Sequence, residues 1–185
     1  IRNIAEIMNR SSVEQRVSMV AYSADGAKLS ERRIVIPVRG QQDLDLSAML
    51  PPNAYGISCL RHRVQPSDID GRMLFYGASG ADTTESHTFS YSFAFDAHLP
   101  SMLILPLNTI DPQGEGRFVA NWLQLSNASR ASIGGRLIIY SDGGQKLSET
   151  HVRLGPYARR DYAGHLIGSS VVGYARWEPD KPEYR

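Results

Sequence analysis

Apolar and polar residues in this chain mostly alternate with a period of two. Thr88 to Phe95 does so strictly, placing Phe89, Tyr91, Phe93 and Phe95 on one face, as a half-buried strand requires. Phe118 to Leu125 alternates more loosely, with Leu123 and Leu125 on one side and Gln124 on the other. Val17–Tyr22, Ile34–Ile36, Arg72–Tyr76, Met102–Leu107, Arg136–Tyr140 and Val152–Leu154 are β-rich runs. Ala24-Asp25-Gly26 and Asp142-Gly143-Gly144 lie between such runs and supply the positive φ of tight hairpins. No segment keeps a helical period over three turns; Asp43 to Leu50 accommodates a single turn, with Leu46, Met49 and Leu50 apolar. Short strands separated by Gly, Asn and Pro turns predict an all-β, antiparallel sandwich architecture.

The pattern occurs twice. Asn3-Ile4-Ala5-Glu6-Ile7-Met8-Asn9-Arg10-Ser11 aligns with Asn121-Trp122-Leu123-Gln124-Leu125-Ser126-Asn127-Ala128-Ser129, a step of 118 positions. Tyr22-Ser23 aligns with Tyr140-Ser141 and Gly26–Glu31 with Gly144–Glu149, at the same step and without a gap. A repeat of this length is one module used twice rather than a solenoid of small units. We expect two tandem modules, residues 1–100 and 101–185. Their cores are expected from Ile7, Met19, Ala21, Leu29, Ile34 and Ile36, and from Leu125, Leu137, Ile139, Leu147, Val152 and Leu154. The copies are out of phase with the chain ends. Met102–Leu107 precedes the second Asn motif, whereas Arg72–Tyr76 and Phe89–Phe95 follow the first. A longer parent chain or neighbouring chains completing the sheets is the corresponding expectation, because uncovered edge strands pair readily.

The Asn-x-x-x-Leu-x-Asn motif, the Tyr-Ser-x-x-Gly-x-x-Leu hairpin and the Gly-Pro-x-Ala loop resemble tandem immunoglobulin- or fibronectin-type modules of bacterial secreted and surface proteins. The resemblance covers Asn3–Leu46 and Asn121–Gly164. It implies an extracellular or cell-surface location and a spacing, adhesive or shell-forming role, and it carries no catalytic residue over. The Cys…Trp…Cys core of antibody domains is missing: Cys59 stands alone, and Trp122 and Trp177 both lie in the second copy.

Composition adds limits. With 42% hydrophobic and 21% charged residues the chain reads as an ordinary globular protein. A formal net charge of +1 gives no bulk attraction to nucleic acid. No apolar run approaches the ~20 residues of a membrane helix. One cysteine permits no intrachain disulfide.

Reactive constellations are sparse. The five histidines have no paired zinc-type spacing. Asp161 and His165 are four apart, but Asp43, which matches Asp161, has no matching histidine. Asp68-Ile69-Asp70-Gly71 has the form of half a calcium loop, and equally of an Asp-Gly turn. Gly-x-Ser-x-Gly is absent, Ala78-Ser79-Gly80 reads as a loop, and Cys59 reads as a small apolar residue. Arg159-Arg160-Asp161-Tyr162 joins planar cations to an aromatic, a chemistry suited to anionic sugars or phosphate. Trp122, Trp177, Tyr157 and Tyr162 on one surface would form a sugar-stacking platform. Asn9-Arg10-Ser11 and Asn127-Ala128-Ser129 fit both the N-glycosylation acceptor pattern and a repeated turn. The sequence therefore points to a non-enzymatic structural or adhesive module with no cofactor, associating with proteins or itself through edge strands. The alternative is a carbohydrate-binding module, or an accessory domain of a secreted enzyme, with a polysaccharide partner.

Overall fold

The computed structural model describes residues 2–52, 54–63, 65–77, 89–94, 103–109, 121–167 and 171–181. The chain is all-β, its sheets antiparallel. It divides into two compact units, Ile1–Ser23 with Lys28–Ala97, and Ala24–Ala27 with His98–Arg185.

The first unit contains β1 (Arg2–Asn9), β2 (Gln15–Ser23), β3 (Lys28–Ile36), β4 (Gln41–Asp45), β5 (Gly56–Arg61), β6 (Ile69–Gly77) and β7 (Phe89–Ala94). They form one sheet in the order β4-β1-β6-β7 and another in the order β3-β2-β5. The second unit contains β8 (Leu103–Asn108), β9 (Trp122–Ser126), β10 (Ile133–Ser141), β11 (Lys146–Leu154), β12 (Arg159–Ala163) and β13 (Val172–Pro179). Their orders are β11-β10-β13-β8 and β12-β9. The expected helical turn near residue 47 is a single 3₁₀ turn, Ser47–Met49, with Leu46 buried just before it.

The alternation dictates which side chains go in. Ala5, Ile7, Val17, Met19, Ile36, Leu44 and Leu46 form the first core, with Ile34 packed against it. Leu123, Leu125, Leu137, Ile139, Val152, Leu154 and Trp177 dominate the second. Leu29 and Leu147, both expected inside, are 36% and 40% exposed. In each hairpin the register jumps there: Ala21 faces Ser30 and Tyr22 faces Lys28, while Ile139 faces Ser148 and Tyr140 faces Lys146. The skipped leucine is the extra residue of a bulge, which takes it out of the alternation. Gly26 and Gly144 close these hairpins at φ 87° and 79°, the conformation expected of the Asp-Gly and Gly-Gly turns.

The aromatic alternation of Phe89 onward produces β7, whose side chains lie outside the described residues, as do Phe95, Ser79, His87 and His98.

Candidate functional site

Side chains that the sequence marks as reactive are mostly engaged in holding turns. Asn9 and Asn127 are each 2% exposed. The Asn127 amide nitrogen donates to the carbonyls of Ala131 and Gly155, both at 2.7 Å. Its oxygen accepts from the Ser129 backbone N–H at 2.9 Å and from the Ser129 hydroxyl at 2.8 Å. Asn9 does the same in its own unit, donating to Val13 and Pro37 at 2.7 and 2.9 Å and accepting from Ser11 at 2.9 and 2.7 Å. The amide that a glycan would occupy is thus spent on the loop, which is the turn reading of Asn-x-Ser.

Beyond each clamp the chain makes a left-handed step at a non-glycine residue, Arg39 at φ 51° and Tyr157 at φ 56°. Tyr157 is therefore the turn residue between β11 and β12, with its N–H donating to Ser129 at 3.2 Å.

The sheet β12-β9 gathers most of the expected ligand residues. Register pairs Arg159 with Ser126, Asp161 with Gln124 and Ala163 with Trp122, so these side chains share the outer face with the 58%-exposed Trp122. Arg159 grips Asp161 through two hydrogen bonds of 2.7 and 2.8 Å, which neutralises that guanidinium locally. Arg160 is exposed on the opposite side of the strand, and Tyr162 turns inward against the core. His165 stands edge-on to Trp122, ring centroids 5.4 Å apart, and its Nδ1 lies 3.2 Å from the Asn121 backbone N–H. Trp177 is 8% exposed and belongs to the core, and Tyr162 packs against that core, so of the four rings Trp122 and the half-buried Tyr157 are left outside it.

Asp70 and Gly71 are not the expected Asp-Gly turn: both lie within β6, opposite Met8 and Ile7, and the turn before the strand is the 3₁₀ stretch Pro66–Asp68. Asp70 accepts the Gly71 N–H at 2.7 Å and lies 3.6 Å from Arg10. Asp68 contributes its backbone carbonyl to the Arg10 N–H at 2.8 Å. Among the described residues no three His, Cys, Asp or Glu side chains converge to hold a metal. Burial pushes the Cys59 thiol up, although Arg61 opposes it, which disfavours the nucleophilic thiolate.

One feature escaped the sequence reading. On the outer face of β10 and β13, Tyr140 stacks on Tyr174 at 5.0 Å, and Arg176 lies 5.3 Å over the Tyr140 ring. Beside it Arg136 bridges Glu149 and Glu178 at 3.5 and 2.6 Å. Arg176 and Glu149 flank Ile138, which is 3% exposed despite facing outward. The spacing of Tyr174 and Arg176 on one strand face was the available signal. In the first unit Arg61 lies 5.7 Å over Tyr22 and hydrogen-bonds its hydroxyl, with the equally outward Val20 fully buried.

The backbone of β9 completes the site. Asn127 N–H donates to Ala158, and Asn121 C=O accepts from Gly164, at 2.8 and 2.7 Å. Main-chain groups alternate sides along a strand, so Leu123 and Leu125 also point toward β12, while Trp122, Gln124 and Ser126 point to the opposite edge. That edge has no strand partner among the described residues. No helix of the described residues is long and apolar enough to cross a membrane. No family model, curated protein or solved structure matches this chain.

Proposed function

We propose that this chain is a non-enzymatic extracellular or surface module in which one immunoglobulin/fibronectin-like β-sandwich design occurs twice, spacing or assembling through its module ends and edge strands. The observation that carries the reading is the coincidence of scaffold features at one spacing. Gln15–Ser23, Lys28–Ile36 and Gln41–Asp45 each recur 118 positions later as strands with bounds Ile133–Ser141, Lys146–Leu154 and Arg159–Ala163. The hairpin bulge, the buried Asn–Ser clamp and the left-handed residue recur at the same step. The scaffold recurs throughout, whereas the outer polar groups recur only in part: the Lys28–Glu31 pair returns as Lys146–Glu149, but Gln124 and Arg159 stand where the first copy has Glu6 and Gln41. A duplicated frame whose outer polar groups are kept only in part suits a spacer or assembly element.

Sedimentation velocity over a hundredfold concentration range tests it. Concentration-dependent assembly is expected; a monomer at every concentration would falsify the assembly role.

A second reading, a carbohydrate-binding module or accessory domain, is favoured by one observation: Trp122 is 58% exposed and braced by His165. An exposed indole of this kind is a stacking surface for a sugar ring. A glycan array in which Trp122→Ala loses the hits of the parent chain would favour it; an array without hits removes it.

A further inference from the structure

We infer that the open edge of β9 is an acceptor for one added antiparallel strand, an extended segment with the side-chain pattern of β6. The inference rests on the repeat reading above, because β6 is the strand that occupies the corresponding edge of β1.

Three observations carry it. β1 and β9 share their frame: Ala5 and Ile7 are buried where Leu123 and Leu125 are buried, and Asn9 ends the strand as Asn127 follows the other. In β1 the residues matching Trp122, Gln124 and Ser126 are Ile4, Glu6 and Met8, which face Leu74, Arg72 and Asp70 of β6. The edge that β6 closes in the first unit is thus the one left unpaired among the described residues of the second. Finally, β9 lacks the devices that natural edges use against pairing. Its sequence, Trp-Leu-Gln-Leu-Ser, holds no charge and no proline. The edge strands β3 and β12 carry several charges each, and β8 carries Pro106. The edge strand β7 shares the uncharged character of β9.

The register specifies the partner. By correspondence with Ile7–Gly71, Ala5–Met73 and Asn9–Ile69, the incoming strand runs antiparallel to β9. It places a small residue beside Leu125, a long apolar residue beside Leu123 and a branched apolar residue beside Asn127. At the position of Arg72, which pairs with Glu6 in the first unit, no cation is required, because β9 presents neutral Gln124 there. An apolar residue at the position of Leu74 would cover Trp122.

The test uses the whole chain and the synthetic peptide Ile69–Gly77. Trp122 is exposed and Trp177 buried, so strand addition should shift the indole emission to the blue, saturably. Trp122→Phe should abolish that shift while a labelled peptide still binds by anisotropy. Gln124→Pro removes one edge-facing N–H without touching the β12 side, and should weaken binding at least about tenfold. Two peptide variants leave the fold alone: Met73→Asp and Gly71→Val should each bind at least about tenfold more weakly. Absence of saturable binding up to about 1 mM peptide overturns the proposal. So does binding insensitive to Gln124→Pro, which would place the peptide on β1 by exchange with β6. Self-association through β9 that excludes the peptide, including pairing with β7 of a second copy, overturns the assigned partner. The repeat reading fails separately, if the Asn9 and Asn127 clamps prove unequal in the measurements described below.

Discussion

The two units solve one hydrogen-bonding problem identically and one volume problem differently. Asn9 and Asn127 hold the same turn with the same donors and acceptors. Beside them the cores diverge. Met19 faces Leu60 across the first sheet and Leu137 faces Trp177 across the second, so Leu60 and Trp177 hold the same place. Val17, 3% exposed, corresponds to Gly135. A Cβ on Gly135 would meet the Trp177 ring at 2.6 Å and the Glu178 carbonyl at 2.5 Å. The second unit therefore trades Val plus Leu for Gly plus Trp. Polar geometry is directional and must be kept; apolar volume can be redistributed between neighbours if the total is preserved.

The most disruptive test of that contrast is Gly135→Val, which imposes the first unit's residue on the second. It should cost about 3 kcal/mol or more, because backbone as well as indole blocks the new atoms. Urea unfolding read by far-ultraviolet circular dichroism reports it, and serves equally for variants that lack Trp177. Trp177→Leu should cost about 2–4 kcal/mol through the cavity it leaves. The double variant should recover only part of the combined loss, since the Glu178 carbonyl stays in place; full additivity would mean that the two sites do not share volume.

The clamps come next. Asn127→Ala and Asn9→Ala each strand several loop carbonyls and N–H groups, for an expected loss of about 2–3 kcal/mol apiece. Amide exchange of β2 and β10 should show matched losses, whereas a loss confined to one unit would break the equivalence. A smaller gain is expected at the left-handed positions. Tyr157→Gly and Arg39→Gly relieve a conformation that costs L-residues about 1 kcal/mol, partly offset by glycine's freedom in the unfolded chain. A rise of a degree or more in Tm for each variant is the readout.

The smallest effect is electrostatic. Lys28 beside Glu31, and Lys146 beside Glu149, hold both carboxyls below the ordinary value of 4.5. A carboxyl whose folded pKa is depressed stabilises the fold above its unfolded value and loses that contribution as pH falls through the folded one. Wild-type protein should therefore lose slightly more stability than Glu31→Gln or Glu149→Gln on going from pH 6 to pH 3. In high salt the difference should shrink, as for any exposed pair.

Much of the frame was legible in the chain because period-two patterning and Gly or Asn turns are local properties. Leu123 and Leu125 went inside and Gln124 outside as their alternation requires. Leu29 and Leu147 did not, since a bulge is set by hairpin register and not by hydrophobicity. Trp177 was misassigned for a similar reason: an indole reads alike whether it faces solvent or a glycine across the sheet. The Arg159–Asp161 fork and the inward turn of Tyr162 also depended on which side of β12 each residue took. The open edge of β9 is a property of strand partners, which no single segment encodes.

The buried asparagines set a timing rule for biosynthesis. Each amide nitrogen donates to two or more carbonyls, so an enzyme that must attack it can act only before the loop closes. A sugar attached to Asn127 at that moment would remove a donor and could not fit a residue 2% exposed. In a host that glycosylates nascent chains, folding and modification become competing fates for the same polypeptide. The modified fraction would then measure how slowly the turn forms.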